Sequence, residues 1–379
     1  MSSSSKRPGR AMWLGLMSGI TLFLHTSLAV AEYGLNFPTP VTAIAQEVYG
    51  LHMLIMWICV VIGVLVFGVM FYSIFAHRKS RGHKAAKWHE STTVEIIWTA
   101  VPFLILVGMA VPSTATLLKM EDTKTNADLV IHITGYQWKW KYEYPGQDVS
   151  FFSTLSTPRE QIENKAPKGK DYLLEVDNPM VIPTNKKVRL VLTANDVIHA
   201  WWVPQLAVKK DAVPGFINEM WTKVDEPGTY RGQCAELCGK DHGFMPIVVQ
   251  AVSDEDYSKW ISAKKSEALA SAADAGKTMS KDDLMKRGEK VYAQCAACHG
   301  DKGQGIPGVF PALTGSKIAK GPADAHIAIV MKGKPGTTMQ AYAGQLNDAD
   351  LAAVVTFERN ALGNSTGDVV QPAQIKAKR

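Results

Sequence analysis

Long unbroken apolar runs open the chain, strict alternation follows, and a helical period closes it. The first run, Ala11 to Leu24, is preceded by Lys6, Arg7 and Arg10 and followed by Ala29-Val30-Ala31. A basic stretch, a short apolar core and a small-x-small site predict a secretory leader over residues 1–31, cleaved after Ala31. Met53–Ala76 and Ile96–Leu118 contain no charged residue, over 24 and 23 positions. About 20 residues at 1.5 Å per residue cross a hydrocarbon core, so residues 45–118 are predicted to form a transmembrane helical hairpin. The intervening loop 77–89 carries Arg78, Lys79, Arg81, Lys84 and Lys87 and no acid. Basic loops stay in the cytoplasm, which places everything beyond residue 119 outside it.

Alternation starts just after the second run. Asp128–Thr134 alternates polar and apolar, and Trp138, Trp140, Tyr142 and Tyr144 continue with period two. Tyr172–Val176, Lys187–Thr193, Glu219–Val224, Gly228–Gln233 and Ile247–Val252 are further β-rich runs, and Pro-Gly pairs at 145, 214 and 227 supply turns. Many short strands with turn signals predict an all-β Greek-key domain over 119–262. Residues 263–280, rich in Ala, Ser, Lys and Asp, read as a flexible linker. Asp282–Ala297, Ala323–Met331 and Asp348–Leu362 then show helical spacing, the last opened by Asn347 as N-cap, giving an all-α domain over 281–363. Residues 364–379 read as a loose tail.

Composition excludes several classes. With 379 residues, 46% hydrophobic, the chain is long enough for two or three cored units, and five cysteines are too dilute for a disulfide scaffold. The net charge of +6 does not gather on one folded face, so nucleic acid is not an expected partner. It dissolves into a basic leader, a basic cytoplasmic loop, a 119–262 segment with 17 basic and 20 acidic residues, and a 281–379 segment with 13 and 9. The last two are opposite in sign, as weakly docking domains often are.

The densest chemistry lies in Cys234-Ala-Glu236-Leu-Cys238-Gly-Lys-Asp-His242-Gly-Phe-Met245. Two nearby cysteines in an oxidising compartment could simply pair as a disulfide. Thiolate, thioether and imidazole together instead form a soft set suited to copper, and His199, at the end of an apolar strand, offers a second imidazole. The pattern His199 … Cys-x-Glu-x-Cys-x3-His-x2-Met resembles subunit II of cytochrome c oxidase, over roughly residues 45 to 260. The resemblance implies a cupredoxin-like domain holding dinuclear CuA. Cys234 and Cys238 would bridge, His199 and His242 would each cap one copper, Met245 would bind weakly, and Glu236 would ligate through its carbonyl. It also implies that the Glu236 side chain helps hold magnesium at the subunit I interface, and that electrons enter at Trp138. Lys139 stands where family members commonly carry an aromatic, a cation that would repel a basic cytochrome. Glu95, at the cytoplasmic end of the second span, matches the mouth of the family's proton path; the bland alternative is an acid favoured by the helix dipole.

Cys295-Ala-Ala-Cys298-His299 is the covalent haem c attachment signal, with His299 as one axial ligand. The stretch 281–363 resembles a class I cytochrome c. Met339, in a loop before the last helix, is the expected second ligand, whereas Met331 sits on a helix and reads as core. Cys59, mid-span, reads as a small hydrophobe; the remaining histidines, His326 among them, receive no role.

The whole resembles a caa-type oxidase subunit II with a fused cytochrome c domain. The expected function is electron delivery, from haem c through CuA to the haem a/oxygen-reducing centre of subunit I, with proton translocation in the complex. Expected partners are subunits I and III, a cytochrome c or similar donor, and membrane lipid, at a bacterial inner membrane with both redox domains periplasmic. The alternatives are a CuA subunit of a nitrous or nitric oxide reductase, a quinol oxidase subunit, and a copper-delivery protein.

Overall fold

The computed structural model describes residues 34, 36–84, 87–274 and 277–379. The expected leader and its cleavage point after Ala31 lie outside the described residues. The chain divides at Thr39/Pro40, and Pro40–Arg379 forms one unit.

Two helices, Ala43–Ala76 and Thr92–Met120, are long and apolar enough to cross a membrane. Thr42 caps the first by accepting from the Ala45 amide at 3.0 Å. Cys59 is exposed on this helix, facing where lipid would be. At their outer ends the helices grip the next domain. The Val41 amide donates to the Gln205 carbonyl, and Trp221 Nε1 donates to the Lys119 carbonyl at 3.0 Å. Lys210 pairs with Glu121 at 3.0 Å.

Among the described residues, ten strands build a two-sheet sandwich. One sheet runs β3(149–153)-β2(139–144)-β1(129–136)-β5(188–194)-β8(218–222); the other runs β4(180–183)-β10(246–252)-β9(228–234)-β6(199–203)-β7(208–212). The alternation in the sequence is the cause. Leu129, Ile131 and Ile133 of β1 and Val188, Leu190 and Leu192 of β5 all turn inward, and β1 pairs with β5 in parallel. Trp140, Tyr142, Tyr144 and Trp201 fill the same core. Tyr172–Val176 is not a strand: only Val176 makes a lone bridge, to Leu155.

Two further expectations are corrected. The linker expected over 263–280 is helical through most of its length, within Asp254–Asp274. Its alanines are the strongest helix formers, and its first turn carries Asp254, Glu255 and Asp256 where the macrodipole favours acids. Tyr257 and Trp260 anchor the helix on the β core. Nor are residues 364–379 a loose tail. Val370 and Ile375 are buried in the second domain, a short helix spans Pro372–Lys376, and Arg379 pairs with Asp348.

The second domain crosses helix Lys281–His299 over helix Asp348–Asn360, with Ala323–Lys332 packed beside them. A Cβ on Gly288 would meet the Ala353 carbonyl at 2.2 Å, so only glycine permits this approach. Asn347 caps helix Asp348–Asn360 by accepting from the Asp350 amide, as expected.

Candidate metal and haem centres

Strand pairing assembles the first site. β6 lies antiparallel to β9 with Trp201 opposite Cys234, which brings His199 beside the Cys234–Met245 loop. The sulfurs of Cys234 and Cys238 stand 3.8 Å apart. His199 Nδ1 lies 3.9 Å from Cys234 Sγ, and His242 Nδ1 lies 3.4 Å from Cys238 Sγ. The Glu236 carbonyl is 3.4 Å from Cys234 Sγ, while its side chain is exposed at the loop tip. Met245 is fully buried beneath, its carbonyl accepting from the Cys234 amide. The donor atoms of His199, Cys234 and Cys238 all fall within 4.8 Å of one another.

The surroundings fix these donors. His199 is buried, and its Nε2 meets Asp196 Oδ1 at 2.9 Å, which leaves Nδ1 facing the sulfurs. A Cβ on Gly135 would meet the His199 ring at 2.7 Å, so the glycine makes the space in which the ring lies. Burial opposes charge on His199, yet the Asp196 bond and the neighbouring Cys234 outweigh it and lift its pKa. The thiols divide their protons. A hydrogen bond from Cys238 draws Cys234 far below the usual thiol range and correspondingly pushes Cys238 up. A first thiolate therefore forms readily, and displacing the second proton calls for a cation. Soft sulfur, two imidazoles, a thioether and a carbonyl suit a copper pair.

Cys295, Cys298, His299 and Met339 line one cavity of about 1330 Å³. His299 Nδ1 sits 2.8 Å from the Pro311 carbonyl, which fixes the ring and leaves Nε2 available. His326 also lines the cavity. Its Nε2 lies 2.8 Å from Glu358 Oε2, and its Nδ1 is buried without a partner. The volume, the paired cysteines and this orphaned nitrogen fit a macrocycle carrying polar substituents. Met331 is buried in the helical core, as read.

The same cavity is walled by Gln137, Trp138 and Lys139 of the β domain. Trp138 Nε1 donates to the Cys238 carbonyl at 3.1 Å and Gln137 Nε2 to the same oxygen at 2.8 Å. Trp138 thus touches both sites. Lys139 is 5% exposed, bonds Gln294 Oε1 at 3.0 Å and lies 5.0 Å from the Tyr342 ring centroid. Lys240 Nζ donates to the Ala297 carbonyl, and Arg159 pairs with Asp301 at 3.0 Å. Glu95 belongs to neither cluster. It sits exposed in the first turn of the second membrane helix, its amide donating to the Ser91 carbonyl.

Sequence reasoning missed Asp196, Pro311, Gln340 and the His326–Glu358 pair. Asp196 carried a faint signal, three residues before a candidate ligand. Gln340 follows the expected ligand Met339 directly, but its partners Asp196 and the Gln137 carbonyl are distant in sequence, as are Pro311 from His299 and Glu358 from His326.

Comparison with known proteins agrees with this architecture. Residues 129–252 match the family described as cytochrome c oxidase subunit II, periplasmic domain, and residues 30–116 match its transmembrane domain. Residues 283–357 match cytochrome c oxidase, cbb3-type, subunit III. A probable cytochrome c oxidase subunit 2 of Rickettsia bellii is 40% identical over 250 residues, 65% of this chain and 91% of that one. Cytochrome c oxidase subunit 2 of Cyanidium caldarium is 37% identical over 62% of this chain and 92% of its own length. The crystal structure of the periplasmic domain of subunit II of cytochrome oxidase (CoxB) of Bradyrhizobium japonicum is 43% identical, with TM-score 0.34, covering 38% of this chain and 96% of that one. A membrane hairpin, a cupredoxin-like sandwich implying CuA, and an appended helical domain implying haem c make this chain a member of the cytochrome c oxidase subunit II family with a fused c-type cytochrome.

Proposed function

We propose that this chain delivers electrons within a respiratory cytochrome c oxidase through a CuA site and a haem c site built from the residues above. One observation carries the reading: two sulfurs 3.8 Å apart, each flanked by a different imidazole Nδ1. Cys234 and Cys238 would bridge the coppers, His199 and His242 would cap them, and Met245 and the Glu236 carbonyl would complete the set. Cys295 and Cys298 would carry the haem, with His299 and Met339 on its iron. When bound, these groups take up and release single electrons, so that charge reaches the oxygen-reducing centre of subunit I. The chain's own task is to hold the donors still. Asp196 orients His199, Pro311 orients His299, and Trp138 lies between the two sites as the point where electrons enter the copper domain. The exposed Glu236 carboxylate suits a magnesium ion shared with subunit I, and Glu95 suits the mouth of a proton path. Subunits I and III and a soluble cytochrome-like donor are the partners, in a bacterial inner membrane with both redox domains periplasmic.

The Cys238 carbonyl held by Trp138 and Gln137 favours this over a copper-delivery role, because a delivery site must open to release its metal. Electron paramagnetic resonance of the purified oxidase is expected to show hyperfine coupling to two equivalent coppers, lost in Cys234→Ser. A mononuclear signal, or metal-free protein with a Cys234–Cys238 disulfide, would overturn the reading.

A further inference from the structure

The loop that carries the expected iron ligand Met339 reaches across the domain seam through the next residue. Gln340 Nε2 donates to Asp196 Oδ2 at 3.0 Å and to the Gln137 carbonyl at 3.1 Å. Its carbonyl oxygen accepts from Gln345 Nε2 at 3.3 Å, so the amide can face only one way: oxygen toward its own domain, NH2 toward the copper domain. Asp196 holds His199 through Oδ1, and the Gln137 backbone amide donates to Oδ2, the oxygen that Gln340 also bonds, at 2.8 Å. Gln137 and Trp138 in turn hold the Cys238 carbonyl. One side chain of the haem domain therefore touches the support of two copper-site residues at once.

We propose that Gln340 is a positioning residue that locks the haem domain in register with the copper loop and sets the polarity around His199 through Asp196. This rests on the copper and haem assignments above. The ties Lys139–Gln294, Lys240–Ala297 and Arg159–Asp301 run through long lysine and arginine side chains, which tolerate slippage; a shorter amide bonded to a half-buried carboxylate and a backbone carbonyl tolerates less. The chemistry also predicts which replacements work. Leucine removes the donor and strands part of the Asp196 charge. Glutamate sets a carboxylate against a carboxylate. Arginine still donates.

The test uses the full oxidase. Haem and copper content of each variant are measured first; if wild type holds neither centre, the functional reading fails and not merely this one. The single-electron transfer that oxidises ferrous haem and reduces the copper pair by one is then followed after a rapid pulse of reductant. A hydrogen bond to a charged group is worth roughly tenfold or more in an equilibrium. Gln340→Leu is accordingly expected to slow transfer about tenfold, Gln340→Glu to slow it further, and Gln340→Arg, which still donates but tolerates slippage, to recover only part of the rate. The copper resonance should shift in Gln340→Leu and Gln340→Glu while haem absorption does not. In copper-free protein, amide exchange at Gln137 should quicken in the same two variants. Full loading with transfer, resonance and exchange all unchanged in Gln340→Glu would overturn the proposal.

Discussion

At the scale of single residues, this protein invests more in holding ligands than in supplying them. His199 is confined on one side by Asp196 and on the other by the absence of a side chain at Gly135. Gly135 lies on β1, opposite Trp140 and beside Ala194, where any residue could satisfy the ladder. Its glycine is explained by the 2.7 Å clash that a Cβ would make with the imidazole. Gly135→Ala is therefore expected to fold, with a cost of roughly 1–3 kcal/mol from overpacking, but to bind copper substoichiometrically because the ring must turn away. Metal analysis beside a thermal unfolding curve separates the two effects. Full copper loading in that variant would show that the ring has room the geometry denies it.

At the scale of elements, what could be read in the sequence and what could not divides by distance along the chain. Cys234 to Met245 and Cys295 to His299 are local signatures, legible because one loop or one helical turn carries most of the ligands. The membrane helices are legible for the same reason, since twenty apolar residues in a row need no partner to be recognised. Asp196, Pro311 and Gln340 acquire meaning only when β6, the haem loop and the seam come together, and no period or spacing announces that. Composition misled twice. An Ala-rich, polar segment reads as a linker, yet the same alanines favour a helix once Tyr257 and Trp260 seat its first turns. The final sixteen residues are polar on average, but Val370 and Ile375 go fully into the haem-domain core. Ile375→Ala should thus destabilise the haem domain by about 2–5 kcal/mol. Two-wavelength unfolding, with haem absorption for one domain and copper absorption for the other, would detect a shift confined to the first. A variant that melts like wild type would restore the view of a dispensable tail.

At the scale of the whole molecule, the seam is expected to respond to pH through Lys139. Next to Trp138, a cation was expected to hinder the approach of a basic cytochrome. The fused domain instead covers it, setting Gln294 and Tyr342 over the ammonium with Phe152 beneath. Burial pulls its pKa from 10.5 down to about 8, against the weaker pull of the nearby acids Asp177 and Asp196. In an undocked state the same lysine would face water and titrate in its ordinary range. Below pH 8 the lysine is charged in both states, and docking bears the full cost of burying the charge, at most about 3 kcal/mol. Between about 8 and 10.5 the docked lysine releases its proton while the undocked one keeps it, so docking strengthens as pH rises through that window. Lys139→Met removes the titration and should tighten docking most at neutral pH. Interdomain fluorescence transfer in the intact oxidase, recorded from pH 7 to 10, should rise with pH in wild type and stay flat and high in Lys139→Met. If both proteins follow the same curve, the ammonium does not govern the seam, and exposed pairs such as Arg159–Asp301 must do so instead. Those pairs are screened by salt, as a buried ammonium is not, so repeating the measurement at high ionic strength decides between the two.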